Sequence, residues 1–266
     1  METAIAVGLV LSGIIFVVGM IGGYIPLYRE WGLDKLSLMV AFGGGTLLAA
    51  ALFLMMPEGL HHLEEMLPHE QADLLAAVSV TAGFLLMYML ENLILPRFAL
   101  SHLGHAHEAV TETARRASGL SVFIALGVHT LIDGIALGVA VTGGEGFALG
   151  GLVFVALISH HMPASFSLTS ALKANQYPNS TAFLYLVIVN AMVPVGTVLA
   201  ALALSGLSDS MLGAMLGFSA GTFIHVATSD LLPVIQRRQR GKALFFGIVV
   251  LGVVFMAGFG MLAHPH

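Results

Sequence analysis

Two apolar stretches decide the fold: LGVHTLIDGIALGVAV, from Leu126 to Val141, and VFVALISHHMPASFSL, from Val153 to Leu168. A helix crosses the bilayer core in ~20 apolar residues, and both stretches carry ionisable groups at the middle of such a run. His129 and Asp133 stand four apart, so on a helix they share one face. His160 and His161 lie just before Pro163. Ionisable groups at membrane depth are costly and turn toward a partner or a wet cavity. Three imidazoles and a carboxylate on successive helices have an obvious common partner, a divalent cation.

The rest of the composition agrees with a membrane setting. Of 266 residues, 58% are hydrophobic and 9% are charged, with a mean hydropathy of +0.94. Soluble domains average roughly a quarter charged residues, so this chain cannot supply a soluble surface. The expected class is all-α: a single polytopic membrane domain. There are no cysteines, which excludes disulfides and thiolate metal sites. The net charge is −5, and no basic cluster points to nucleic acid. The chain opens Met1-Glu2 without a basic n-region, so its first apolar run is expected to be a retained helix.

The apolar runs predict eight spans, near 4–27, 36–57, 73–95, 119–141, 147–172, 180–204, 209–232 and 243–263. All ten Lys and Arg residues then fall on one side: Arg29, Lys35, Arg97, Arg115, Arg116, Lys173, Arg237, Arg238, Arg240 and Lys242. Basic loops face the cytoplasm, which places both termini outside, in a plasma (bacterial inner) membrane. Glu58, Glu64, Glu65, Glu70 and Asp73, with His61, His62 and His69, cluster between spans two and three on the outer side. That segment reads as a solvated loop or as a cation-concentrating vestibule. Residues 96–118 read as an inner loop, in which His102, His105 and His107 are loose metal ligands or polar filler.

An internal repeat is also legible. FGGGTLLAAALFLMMP from Phe42 and FSAGTFIHVATSDLLP from Phe218 match at Phe42/Phe218, Gly45/Gly221, Thr46/Thr222 and Pro57/Pro233. The two spans run in opposite directions, the plan of an inverted repeat with its substrate near the midplane.

At 1.5 Å per residue, His129 lies ~15 Å into span four and His160 ~20 Å into span five. Both are therefore close to the middle of a core ~30 Å thick. Pro163 frees the carbonyl of Ser159 and is expected to kink the helix there. His129, Asp133 and His160 are the first-choice ligands; His161, turned ~100° from His160, is second. Hydrogen-bonded packing between helices is the alternative reading of these groups. His225 and Asp230 in span seven, and Asn190 four residues before Pro194, are candidate path-lining groups, whereas Glu91 and Asn92 are expected to reach the interface.

HTLIDG (His129 to Gly134) and HHMPAS (His160 to Ser165) resemble the paired helix-four and helix-five motifs of the ZIP (ZRT/IRT-like) divalent-metal transporters. PEGLHHL from Pro57, SAGTFIHVATSDLLP from Ser219 and the terminal HPH resemble a branch of that family with reduced motifs. The resemblance implies eight spans, external termini and a homodimer. It also implies motion of helices one, four, five and six against two, three, seven and eight. His129, Asp133 and His160 match family ligand positions. Thr130 replaces the usual asparagine, His161 an acid and Ala164 a ligand, and Val193 stands where many members carry a helix-six carboxylate. One thinly liganded ion is thus implied in place of two bridged ones.

The resulting expectation is an importer of Zn²⁺ (then Fe²⁺, Mn²⁺ or Cd²⁺), not an enzyme. Two rivals use the same ligands: an intramembrane zinc hydrolase of lipid amides, and a sensor that binds metal without moving it.

Overall fold

The computed structural model describes residues 2–28, 30–94, 107–142, 146–203, 209–231 and 241–263. Every regular element among the described residues is helical. They are α1 (Glu2–Tyr24), α2 (Leu33–Ala50), α3 (Met56–Glu64), α4 (His69–Met89), α5 (His107–Thr142), α6 (Gly146–Ala174), α7 (Asn179–Ala203), α8 (Asp209–His225) and α9 (Lys242–Ala263). A π-turn, Ala51–Met55, joins α2 to α3, and π-turns Leu90–Ile94 and Val226–Leu231 extend α4 and α8.

The distribution of side chains is that of a protein dissolved in lipid. Leu9, Val17, Ile21, Leu74, Val78, Leu85, Phe246 and Val254 are exposed, whereas His129, Asp133, His160, His161, Asn190, Thr222 and His225 are buried. Apolar atoms face outward because the bilayer is the solvent, and polar groups meet one another inside. The chain is an integral membrane protein.

Two boundaries differ from the sequence expectation. The segment Met56–Glu64 is helix, not loop: Pro57 stands in the first turn of α3, where a missing N–H removes no helical bond. The helix that carries span four starts at His107, inside the segment read as an inner loop, while the apolar span itself runs Gly119–Thr142 as expected. Helix α6 also continues through Pro163 without interruption.

The repeat is visible in the packing. A methyl at Gly45 would overlap the carbonyl oxygen of Val249, and one at Gly252 that of Phe42. At the matching positions, a methyl at Gly221 would overlap the carbonyl of Val80, and one at Gly83 that of Phe218. So α2 and α9 touch backbone to backbone as α8 and α4 do, with Phe42 and Phe218 in equivalent roles. Glycine permits this approach because it removes the atom that would hold the backbones apart. Thr46 Oγ1 donates to the Gly43 carbonyl at 2.9 Å and Thr222 Oγ1 to the Ser219 carbonyl at 2.7 Å, and a π-turn follows each.

The glycine contacts sort the helices into two groups. Gly134 meets Val193, Gly196 meets Leu131, Gly8 meets Thr197 and Gly22 meets Met162, all among α1, α5, α6 and α7. The repeat pairs above, with Gly59 against Gly213, lie among α2, α3, α4, α8 and α9. Gly43, against Ser167, crosses between the groups. Elsewhere along the boundary Ile132 and Ala136 of α5 pack on Leu212 and Leu216 of α8.

Candidate metal centre

Helix periodicity brings His129 and Asp133 onto one face of α5, and α6 delivers His160 to the same point. His129 Nε2 lies 3.0 Å from Asp133 Oδ2, and His160 Nε2 lies 3.1 Å from the same oxygen. One ligand atom from each residue falls within 4.8 Å of the others, and all three residues are buried. For tetrahedral zinc, bonds of ~2.0–2.2 Å put ligand atoms roughly 3.3–3.5 Å apart, so small side-chain adjustments complete the geometry.

The second nitrogen of His129 is held as well. Its Nδ1 lies 2.7 Å from Ser219 Oγ on α8. With Nδ1–H donating to that hydroxyl, the lone pair of Nε2 faces the carboxylate, the tautomer a metal requires. Nε2 is buried and in line with no hydrogen-bond partner despite its proximity to Asp133. A lone pair against a carboxylate oxygen in a low-dielectric interior is unfavourable, and a divalent cation between them relieves it. Three protein ligands leave a fourth position open, as in sites that exchange what they bind.

A cavity of about 100 Å³ reaches this cluster between the two helix groups. Asp133 and His160 line one end, with Ala136, Val139, Ala140, Val153 and Leu157 from α5 and α6. Leu54, Met55, Glu58, His62, Leu212 and Leu216 supply the facing wall. Beside the cluster, Phe223 packs against the His129 ring at a tilt of 51°, centroids 4.1 Å apart, and is fully buried.

The remaining sequence candidates separate clearly. His161 turns away from the triad: its Nε2 lies 2.8 Å from Asn190 Oδ1, which also accepts from Ser165 Oγ at 3.1 Å. Asn190 Nδ2 donates to the Leu186 carbonyl at 2.8 Å. Gly19 of α1 makes room for this network, since a methyl there would overlap Asn190 and the His161 ring. His225 Nε2 pairs with Glu91 Oε2 at 2.8 Å, beside the rings of Phe84 and Tyr88. Glu91 therefore turns to a helix neighbour and not to the interface as its position suggested.

On α3, His62 Nε2 lies 3.7 Å from Glu58 Oε1, whereas His61 is exposed and lies 3.5 Å from Glu65. His102 and His105 lie outside the described residues, as do the side chains of His107, Ser159 and Asp230. Ser219 and Phe223, the non-ligand partners of His129, carried no signal in the sequence beyond their place in the repeat.

A profile of the family described as ZIP Zinc transporter matches residues 5–112 and 100–260. The Xenopus tropicalis protein named Zinc transporter ZIP9 is 30% identical over 250 residues, 80% of each chain. The chain belongs to the ZIP zinc transporter family. Zinc transporter ZIP1 of Takifugu rubripes is 24% identical over 299 residues, covering 95% of this chain and 96% of its own. Zinc transporter 11 of Arabidopsis thaliana is 22% identical over 282 residues, covering 96% and 86%. Membership makes the chain a divalent-metal transporter rather than an enzyme, and the hydrolase reading is not favoured.

Proposed function

We propose that this ZIP-family chain imports divalent metal with a preference for Zn²⁺, carrying the ion through the His129–Asp133–His160 site toward the side of the basic loops. The observation that carries the reading is the buried triad, two of whose residues line a cavity between the helix groups. Two imidazoles and one carboxylate suit zinc; Fe²⁺, Mn²⁺ and Cd²⁺ are weaker substrates of the same donor set. The open fourth position lets water replace protein ligands as the ion departs.

Direction follows from the charge pattern: acidic Glu58 lines the cavity, Glu64 and Glu65 follow it at the end of α3, and the basic residues belong to the loops of the other side. Phe223, packed on His129 and absent from the cavity lining, serves in this reading as the barrier on the far side. Transport by alternating access then requires α1, α5, α6 and α7 to shift against the other group, and the clustering of glycine contacts within each group supports such a division. A plasma-membrane setting with external termini rests on the positive-inside pattern, and a homodimer on the family resemblance.

Zinc flux into proteoliposomes loaded with a zinc-sensitive dye tests the reading. Wild type fills the vesicles and His129→Ala, equally reconstituted, falls to the empty-liposome rate; equal flux in both would overturn the assignment.

A further inference from the structure

Neighbouring histidines in the sequence have different surroundings on α3. Counting in fours from Leu54 gives Glu58 and His62, one helix face, and all three line the cavity that ends at Asp133 and His160. His61, one position away, is 67% exposed at its side chain and faces Glu65.

Exposure is graded along the cavity. The Glu58 and His62 side chains are 35% and 18% exposed, whereas those of Asp133 and His160 are 2% and 6% exposed. The first pair marks the mouth and the second the floor. These four are the ionisable residues among those lining the cavity; the wall between is built from Leu54, Met55, Val139, Leu157 and Leu216. An apolar wall gives a hydrated cation nothing in exchange for its water, so the ion rests where polar ligands replace that water. Glu58 Oε1 and His62 Nε2 stand 3.7 Å apart. That gap is wide for a hydrogen bond and suits two ligands on one ion, each bond being ~2.0–2.2 Å. The other ring nitrogen, Nδ1, has no hydrogen-bond partner.

We infer that Glu58 and His62 form a loading site: a two-ligand divalent-cation site at the cavity mouth. It takes up the hydrated ion, keeps part of its water and passes it to the triad. Two ligands hold more weakly than three, so the transfer runs downhill. The inference rests on the triad being the transport site.

Because the chain has no cysteine, His62→Cys and His61→Cys each introduce its sole thiol. Maleimide alkylation of detergent-solubilised protein then reads access to that position. Zn²⁺ slows labelling of His62→Cys about fivefold or more, since a thiolate ligates zinc well, and leaves His61→Cys unchanged. The protection disappears when Glu58→Gln is added and survives His129→Ala. In proteoliposomes, Glu58→Gln and His62→Ala raise the KM for Zn²⁺ about tenfold and keep the maximal rate within about twofold. Equal labelling with and without Zn²⁺ at both thiol positions, or an unchanged KM in both variants, would overturn the loading site. Neither outcome touches the His129→Ala flux result, which judges the triad separately. A variant that loses all flux is judged by the alkylation assay, which requires no transport.

Discussion

Two histidine–carboxylate contacts, each with a buried imidazole, lie close together in this molecule, and they differ in what surrounds them. His129 and Asp133 meet His160 at the end of a cavity, and His129 Nε2 has no aligned partner. His225 and Glu91 meet each other at 2.8 Å beside Phe84 and Tyr88. Six residues along α8 separate His225 from Ser219, the partner of His129, or ~9 Å of helix rise. The comparison teaches that residue type does not define a site. A convergent third ligand and an adjoining cavity set the first contact apart, whereas the second is a single pair, its His225 Nδ1 also buried without a hydrogen-bond partner, that joins α8 to the end of α4.

The largest expected effect contrasts the two carboxylates. Asp133→Asn removes the charge shared by both imidazoles and lowers zinc flux by about 100-fold or more, since each retained ligand loses its common counter-charge. Glu91→Gln leaves the KM for Zn²⁺ unchanged and lowers thermal stability by about 1 kcal/mol, the cost of weakening a part-buried hydrogen bond. Flux and thermal melts on the same preparations separate the outcomes. A raised KM in Glu91→Gln would make the second contact part of the route.

A second contrast sets the boundary between helix groups against the interior of one group. A Cβ at Gly43 would lie 2.9 Å from Ser167 Cβ, across the boundary, and one at Gly217 would lie 3.1 Å from Ser79 Cβ, inside one group. Both separations fall somewhat short of the ~3.8 Å of a disulfide and are reached by a small shift. Oxidised Gly43→Cys/Ser167→Cys stops flux and recovers on reduction, whereas oxidised Ser79→Cys/Gly217→Cys transports throughout. Flux that survives the first cross-link would end the two-group account of the motion.

The smallest effect concerns the network behind the triad. Asn190→Ala frees His161 Nε2 and Ser165 Oγ from their shared oxygen without touching a triad ligand. Zinc flux falls about two- to fivefold, the range of a lost buried hydrogen bond of ~0.5–1 kcal/mol. A loss as large as that of Asp133→Asn would place His161 among the ligands.

Much of this was legible in the sequence because membrane helices obey simple arithmetic. Apolar length located the helices, and the spacing of His129, Asp133 and His160 placed three groups where they meet. Length could not say that residues after Met55 stay helical, because Pro57 reads as a stop until its place in the first turn of α3 is known. Spacing could not separate His61 from His62, since the phase of α3 is inherited through the Ala51–Met55 π-turn. Glu91 sits near the end of an apolar run and reads as interfacial; its partner is on a helix distant in sequence. Ser219 is one hydroxyl among many until α8 is packed against α5.

The reciprocal glycines have a consequence for how this chain can vary. At Gly45, Gly83, Gly221 and Gly252 the space a first side-chain carbon would need is already filled by a neighbour's carbonyl oxygen. Every other amino acid carries that carbon, so alanine, the mildest exchange, is refused for the same reason as tryptophan. A metal ligand has chemical cousins, but these four positions have none. Drift in this molecule is therefore more tightly bounded at four featureless positions of the frame than at the candidate metal ligands.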